Sequence, residues 1–247
     1  MNLINWLNKR ICASEHTEIE ILKQTVEEQT KLREKLIEEI QTESSENVRR
    51  NRFENKFKKN KLIYRAQGEY ERDVRTLICD KSHLLEAFIN ENKLNAGTDD
   101  EKILKIQKAV YKAIAYMTDN DSNKLNEYWE HPELTLQKVH GDCEDHMLLV
   151  KSLVLMCGIE DYKVKCVAGW VKDPSDKKKQ IGHAYNIYLR DDNEWVVVDT
   201  TYYPDLTPIA KRTIHKEDLN YFPVKEAIWW TFTKDWTYSP EEVVVNE

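Results

Sequence analysis

The 247-residue sequence lacks the features that define several classes of protein. It contains no run of about 18 apolar residues, which a helix would need to cross a membrane, so we expect no membrane span. Its formal net charge is −7, without the basic excess that nucleic-acid-binding domains usually carry. We therefore expect neither a membrane nor a nucleic acid as a partner.

Cysteine and glycine are also scarce. The five cysteines are an odd and scattered set, which is typical of reduced cytosolic thiols rather than a disulfide framework. At the N-terminus the positive charges follow the short apolar stretch, which is not the order of a secretory signal. We therefore expect a cytoplasmic protein. Only 6 glycines beside abundant Lys, Asn, Ile and Tyr suggest a bacterial or phage source, so a phage virion is the second location considered.

The distribution of charge divides the chain into an arm and a domain. Residues 1–60 are highly charged and predict a helical N-terminal arm, whose thin apolar stripe includes Val26 and Leu36. One interpretation is a solvated helix packed on its own domain or on a neighbouring subunit. The other is an arm for docking a partner or for self-association. Residues 61–247 form the predicted domain.

Three helices are predicted in the first half of that domain. Apolar residues from Val74 to Phe88 mark one amphipathic helix, which stops near residues 95–97, and a second opens with a capping box of Thr98 and Glu101. The third, residues 143–157, is apolar nearly all round from residue 147 onward, as expected for a helix inside a domain. Asp142 is a natural N-cap, which places Cys143 in the first turn of this buried central helix.

Strand-like segments follow the helices. Residues 163–171, 182–189 and 195–202 alternate or are rich in Val, Thr and aromatic residues. Helices first and antiparallel strands afterward predict an α+β domain. A three-residue hairpin loop, 191–193, would place His183 opposite Thr201 and bring Asp199 diagonally opposite His183 on the same face. A two-residue loop would put His183 and Asp199 on opposite faces.

These positions suit a cysteine nucleophile. A free cysteine has a pKa of about 8.5, and a helix N-terminus or an adjacent imidazolium lowers it. Cys143 has the first of these by position, and His183, oriented by Asp199, would supply the second. One feature opposes this chemistry, because the neighbouring acids Asp142, Glu144 and Asp145 disfavour a thiolate.

Four motifs in order carry a family resemblance. The run YWEHPELTLQKVHGDCEDHMLLVKSLVLMCGI, followed by VKCVAGWV, GHAYNIYL and WVVVDTTY, resembles the transglutaminase-like cysteine enzymes. It looks closest to the bacterial and phage transglutaminase-like cysteine proteinases and covers roughly residues 110–205. The resemblance implies a papain-like core, in which a central helix packs on an antiparallel sheet. It also implies that Cys143 is the nucleophile, His183 the general base and acid, and Asp199 the orienting acid.

The resemblance extends to the surroundings of the nucleophile. Oxyanion stabilisation would come from the Cys143 backbone N–H and from a second donor, for which Trp129 is the candidate in the matching upstream stretch. No obligatory cofactor is expected. Some relatives bind calcium through acids that flank the cysteine, so Asp142 and Glu144 are the calcium candidates.

The implied reaction starts when Cys143 attacks an amide carbonyl of a protein or peptide substrate and forms a thioester. Water would resolve the thioester in a protease or amidase, and a lysine amine would resolve it in a cross-linking transglutaminase; we favour the protease or amidase. The alternative from another class is a structural or assembly component, for example of a phage particle, with little or no turnover.

Other interpretations of single features stay open. Cys143 could be a buried structural thiol, or a zinc ligand with His140 and His146. The tail tryptophans, among them Trp229 and Trp230, pack a closing element onto the sheet or line a substrate groove. The lysines at 177–179 form a solvated loop tip or gate the site.

Overall fold

A computed structural model describes residues 20, 23–39, 64–67, 70–218, 220, 221 and 228–238. The chain divides into two compact units, residues 1–54 and 55–247. In the first unit, helix α1 (23–39) is exposed along its whole length, including 61% of Val26 and 55% of Leu36. Its surface carries ion pairs one turn apart, such as Lys31 with Glu27 at 2.8 Å. The division predicted between residues 60 and 61 stays a prediction.

The second unit begins with a small hairpin and then becomes helical. Its elements before the main sheet are, in chain order, β1 (Tyr64–Gln67), β2 (Tyr70–Asp73), α2 (His83–Asn92), α3 (Asp99–Ala113), β3 (Ala115–Tyr116), α4 (Asp119–Ser122), α5 (Pro132–Lys138), β4 (His140–Gly141) and α6 (Cys143–Met156). The capping box of α3 is confirmed, because the Thr98 side chain accepts from the Glu101 N–H and the Glu101 carboxylate accepts from the Thr98 N–H.

The single helix predicted from Val74 to Phe88 is wrong. Val74–Leu77 forms a 3-10 turn, Ile78 is extended, and α2 begins only after Ser82, whose side chain caps it by accepting from the Leu85 N–H. The physical reason is tertiary: the Cys79 N–H donates to the Ser152 hydroxyl of α6 at 2.9 Å, which holds this stretch outside a helix.

Five antiparallel strands form the main sheet, in the order β7, β6, β5, β8, β9. Their bounds are β5 (Val164–Lys172), β6 (Gln180–Leu189), β7 (Trp195–Val198), β8 (Ile228–Phe232) and β9 (Thr237–Tyr238). Helix α6 lies against this sheet, and its side chains from 144 to 154 are all buried. The predicted α+β architecture, a central helix on an antiparallel sheet, is confirmed.

The hairpin between β6 and β7 has the predicted register. Leu189 pairs with Trp195 and Asn186 with Val198, and the Arg190 N–H donates to the Glu194 carbonyl at 3.0 Å across the three-residue loop. Asn193 takes the left-handed conformation that this loop requires, with φ of 65°. The third strand is shorter than predicted and ends at Val198, because the carboxylate that follows it accepts hydrogen bonds from the turn.

The tail contributes to the same sheet. Strand β8 pairs with β5, so the closing element expected around Trp229 and Trp230 is present. The Lys177 ammonium lies 3.8 Å from the centre of the Tyr203 ring and donates to Asn220 at 3.2 Å, so this lysine contacts the tail. None of the helices in the described part of the chain is long and apolar enough to span a bilayer.

Candidate active site

Cys143 is the first residue of α6, beside the start of strand β6. The short parallel pair of β3 and β4 sets Tyr116 opposite Gly141, two residues before the cysteine. Cys143 packs against the apolar cluster that includes Ala184 of β6, and the Ala184 N–H lowers the pKa of the thiol. Since Ala184 directly follows His183, the fold brings the helix start and the predicted base together.

His183 and Asp199 form a buried pair across the end of the hairpin. The His183 Nε2 lies 2.9 Å from the Asp199 Oδ2, and both side chains are almost fully buried. The same oxygen accepts from the Tyr221 hydroxyl at 2.6 Å and from the Tyr203 N–H at 3.2 Å. The other oxygen accepts from the Thr201 N–H at 2.8 Å and hydroxyl at 3.0 Å. Both carboxylate oxygens are therefore fully used.

These contacts keep Asp199 ionised. Burial alone would raise its pKa, but the charge of His183 and the hydrogen bonds from His183, Tyr221 and Thr201 hold the pKa below its ordinary value. The remaining ring nitrogen of His183, Nδ1, is buried and has no hydrogen-bond partner in the described structure. Tyr202 stacks on the imidazole, with ring centres 4.3 Å apart and planes 16° apart. The ring is thus fixed with one nitrogen free.

Acidic side chains surround Cys143, the predicted nucleophile. The Cys143 thiol donates to Glu144 Oε2 at 3.2 Å. Asp145 accepts from the Glu130 N–H at 2.8 Å and from the Asp142 N–H at 3.3 Å, so it ties the upstream loop to the helix start. Asp142 Oδ1, by contrast, is buried without a hydrogen-bond partner. Of the three acids, Asp145 is therefore the one whose two oxygens each accept from a backbone N–H.

This environment favours the protonated thiol. Burial raises the pKa of Cys143 well above its ordinary value, and the charges of Glu144 and Asp142 raise it further, whereas the Ala184 N–H lowers it. Burial also raises the pKa of Asp142, Glu144 and Asp145. The acids that oppose a thiolate therefore hold protons more readily than free carboxyls do.

Two groups of potential metal ligands occur in the described residues. Asp142, Cys143 and Glu144 form one, and Asp119, Asp142 and Asp145 form the other, with the ligand atoms of each group within 4.8 Å of one another. Carboxylate oxygens suit a hard cation such as calcium. The zinc alternative gains no support, because His140 and His146 belong to neither group, and His146 Nδ1 lies 3.1 Å from the Thr200 hydroxyl.

Trp129 lies in the apolar cluster that Cys143 also contacts. Its indole N–H donates to Glu127 Oε1 at 2.6 Å, so in this structure the N–H does not point to the nucleophile as a free donor. The oxyanion role assigned to Trp129 stays a prediction.

Both glycines beside the site are required by close packing. A Cβ at Gly141 would lie 2.7 Å from the Asp145 Cβ, and a Cβ at Gly182 would lie 2.8 Å from the ring of Trp229. These contacts explain the glycines of the Gly-Asp-Cys and Gly-His-Ala motifs as room for neighbouring side chains.

Sequence reasoning missed four side chains that build the site. Tyr221 and Gln107 hold Asp199, the former at the carboxylate and the latter at the backbone carbonyl, which accepts from the Gln107 amide at 2.6 Å. Tyr202 and Tyr116 join hydroxyls at 2.9 Å beside His183 and Cys143. A signal existed only for Gln107, a polar residue on the apolar face of α3, and for Tyr202, which ends one of the quoted motifs.

Comparison with known proteins places this geometry in a family. No curated protein matches the chain. Among solved structures, the chain is similar to Legionella pneumophila LapG, EGTA-treated, with TM-score 0.45 and 13% identity over 70% of this chain and 86% of LapG. It is also similar to calcium-bound LapG, with TM-score 0.44 and 12% identity over 68% and 86% of the two chains.

The family model of the transglutaminase-like superfamily matches residues 87–200. This range includes Cys143, His183 and Asp199 and ends before Tyr202 and Tyr221. The stretch from residue 87 to residue 200 of this chain therefore belongs to the transglutaminase-like superfamily.

Proposed function

We propose that the protein is a thiol-dependent enzyme that hydrolyses peptide or side-chain amides of a protein or peptide substrate. The observation that carries the proposal is the imidazole of His183. Its Nε2 is bound to an ionised, fully hydrogen-bonded Asp199, and its buried Nδ1 is left without a partner next to Ala184, whose N–H lowers the pKa of the Cys143 thiol. This is the arrangement of a base oriented by an acid and held ready for a nucleophile.

The chemistry follows from these positions. His183 Nδ1 takes the proton of the Cys143 thiol, and the sulfur attacks the amide carbonyl carbon. The carbonyl oxygen carries the negative charge until the C–N bond breaks, and the leaving amine takes the proton from His183. The resulting thioester is cleaved by water, whose proton His183 accepts and returns to the sulfur. Asp199 stays ionised throughout and stabilises the imidazolium.

Brief iodoacetamide treatment followed by mass spectrometry, between pH 5 and pH 9, tests this proposal. We expect Cys143 to be labelled faster than Cys79, Cys157 and Cys166, which are buried. The preference should disappear in His183→Ala and persist in His83→Ala, which removes an exposed histidine of α2. Slow labelling of these four cysteines, unchanged by His183→Ala, would contradict the proposed enzyme.

That contradictory outcome would favour the alternative function, a structural or assembly component of a particle with an idle site. The exposed helix α1, with Val26 and Leu36 on its surface, is the feature that favours it. The alternative expects even labelling together with association through residues 1–54, measured as a change in mass in solution when those residues are removed.

Calcium is the cofactor that the acids around Cys143 could hold. Asp142 and Glu144 would supply oxygen ligands, and the buried Asp142 Oδ1, which has no hydrogen-bond partner in the described structure, fits a cation at this place. A bound cation would offset the negative charge beside the thiol. We expect Ca²⁺ to raise the melting temperature of the wild type and of Glu91→Gln, an exposed control on α2, but not of Asp142→Asn/Glu144→Gln. An equal rise in all three proteins would exclude this site.

A further inference from the structure

Two tyrosine hydroxyls meet between the two halves of the candidate site. The Tyr116 and Tyr202 oxygens are 2.9 Å apart, and the ring centres are 5.5 Å apart. Tyr116 belongs to β3 and pairs with Gly141, two residues before the nucleophile. Tyr202 follows Asp199 by three residues, and its ring stacks on His183. The pair therefore joins the side of the site that holds the thiol to the side that holds the base.

One proton of this pair is not used in the bond between the hydroxyls. Burial raises the pKa of both Tyr116 and Tyr202, and a negative charge on Cys143 raises each further, so both phenols are protonated at neutral pH. Two hydroxyls carry two protons, and one hydrogen bond between them uses one. Neither hydroxyl makes another hydrogen bond within the described residues. One O–H is thus left to donate.

That O–H lies between the strand that pairs with Gly141, two residues before Cys143, and the ring that stacks on His183. The thiol of Cys143 donates to Glu144, and no hydrogen bond joins the sulfur to either phenol within the described residues. A donor near the sulfur but not bonded to it can meet a group that becomes attached to the sulfur. The indole N–H of Trp129, the other candidate donor, is already engaged by Glu127.

We propose that the Tyr116–Tyr202 hydroxyl pair donates a hydrogen bond to the oxyanion that forms when Cys143 attacks a substrate carbonyl. The inference rests on the proposed function and names a catalytic group for it. As the S–C bond forms, the C=O π electrons move to the oxygen. This oxygen accepts a hydrogen bond from the free O–H. When the C=O bond re-forms, the bond to the leaving group breaks. The second hydroxyl fixes the direction of the donating one.

Two reagents that attack the same sulfur separate this role from a structural one. p-Nitrophenyl acetate acylates a thiolate through a tetrahedral oxyanion and releases p-nitrophenolate. Methyl methanethiosulfonate forms a disulfide with the thiolate, releases a sulfinate and has no carbonyl. We expect Tyr116→Phe/Tyr202→Phe to acylate Cys143 about a hundredfold to a thousandfold more slowly, as when an oxyanion donor is removed. Its reaction with the thiosulfonate should stay at the wild-type rate.

The controls keep each outcome decisive. Tyr111→Phe removes the hydroxyl of a tyrosine of α3 with similar exposure, 46% against 43% for Tyr116, and should match the wild type with both reagents. The phenylalanines keep the rings, so the stack on His183 remains. Unchanged acylation of the double variant, or an equal loss with both reagents, would overturn the oxyanion role while leaving the enzyme intact. A wild-type Cys143 inert to the ester would overturn the proposed function itself.

Discussion

The candidate site has two halves: a base half, with His183 and Asp199, and a nucleophile half, with Cys143 and the acids Asp142 and Glu144. The two halves differ in how fully their polar groups are hydrogen-bonded. On the base side, the two oxygens of Asp199 accept five hydrogen bonds, from His183, Thr201, Tyr203 and Tyr221. On the nucleophile side, Cys143 donates to an acid, and an oxygen of the neighbouring Asp142 is buried without a hydrogen-bond partner. His183 and Asp199 are fully buried, whereas Asp142 and Cys143 are only partly buried.

The difference has a chemical meaning. Buried polar groups normally find partners, and a group left unpaired raises the free energy of the fold. A fully bonded base is ready before substrate binds. The negative charges of Asp142 and Glu144 favour the protonated thiol. A positive charge bound beside them would lower the pKa of the thiol. The hydrogen bonds of the base half are therefore complete in this structure. In our proposal, a bound cation would offset the negative charge of the nucleophile half.

A substitution in the base half should have the largest effect on activity. Asp199→Asn keeps the shape of the side chain but removes the charge that stabilises the His183 imidazolium and selects its tautomer. We expect acylation of Cys143 by p-nitrophenyl acetate to fall by about 10⁴-fold, the scale seen when a triad acid becomes an amide. The measurement is the initial release of p-nitrophenolate per active thiol.

Asp205→Asn is the matched control, since this acid only caps its own turn by accepting from Thr207. Its rate should equal that of the wild type. A loss in Asp199→Asn below tenfold would mean that His183 does not depend on Asp199 for its charge, and the triad assignment would fail.

Removing one acid from the nucleophile half should increase the reactivity of Cys143. In Glu144→Gln the thiol loses the carboxylate to which it donates. The variant also lacks the charge of Glu144, which raises the pKa of Cys143. We expect the pKa of Cys143 to fall and the rate of its reaction with iodoacetamide at pH 7 to rise about tenfold, the equivalent of one pKa unit. The rate measured against pH gives the pKa directly.

An exposed acid tests whether this gain is local. Glu91→Gln changes the net charge equally but lies on the surface of α2, so its labelling rate should not differ from the wild type. Slower labelling in Glu144→Gln would show that Glu144 accepts the thiol proton as a base, and the charge argument would then be wrong.

The acids of the nucleophile half should also make the stability of the protein depend on pH. Burial raises the folded-state pKa of Asp142 and Glu144, so between their ordinary value near 4 and neutral pH the folded chain binds more protons than the unfolded chain. The contribution of Asp142 and Glu144 to the free energy of unfolding must therefore fall as the pH rises through this range, whereas that of His146 and His215, whose pKa burial lowers, rises. Between pH 5 and pH 8, each kcal/mol that the two acids lose lowers the melting temperature by about 2–4 °C.

Asp142→Asn/Glu144→Gln should flatten this part of the stability curve, because neither new side chain titrates. Differential scanning calorimetry at both pH values measures the change. A drop of the same size in the double variant would assign the pH dependence to other groups, such as Asp119, whose pKa burial also raises.

The comparison between halves also explains what could be predicted from the sequence. The helix start at Cys143 and the alignment of His183 with Asp199 depend on local signals, namely an N-cap, an apolar helix and a three-residue loop with Asn193 in a left-handed conformation. Short-range geometry of this kind can be derived from sequence spacing. The register was therefore predictable.

Contacts that depend on distant chain segments were not predictable. Tyr221 reaches Asp199 only because an isolated antiparallel bridge ties it to Val171, in a segment without a recognisable motif. The interruption before α2 depends on Ser152, 73 positions away from Cys79.

The smallest expected effect concerns that distant contact. Tyr221→Phe removes one of five hydrogen bonds to Asp199 and leaves those from His183, Thr201 and Tyr203, so the carboxylate stays oriented. A single hydrogen bond contributes on the order of 0.5–1.5 kcal/mol, and about 0.7 kcal/mol corresponds to a threefold loss in acylation rate. Tyr203→Phe is the control, because its hydroxyl donates to the Lys172 carbonyl and its backbone N–H still reaches Asp199. We expect the control to acylate at the wild-type rate. A loss in Tyr221→Phe as large as in Asp199→Asn would show that the base half has no spare contacts, and that its completeness depends on the tail.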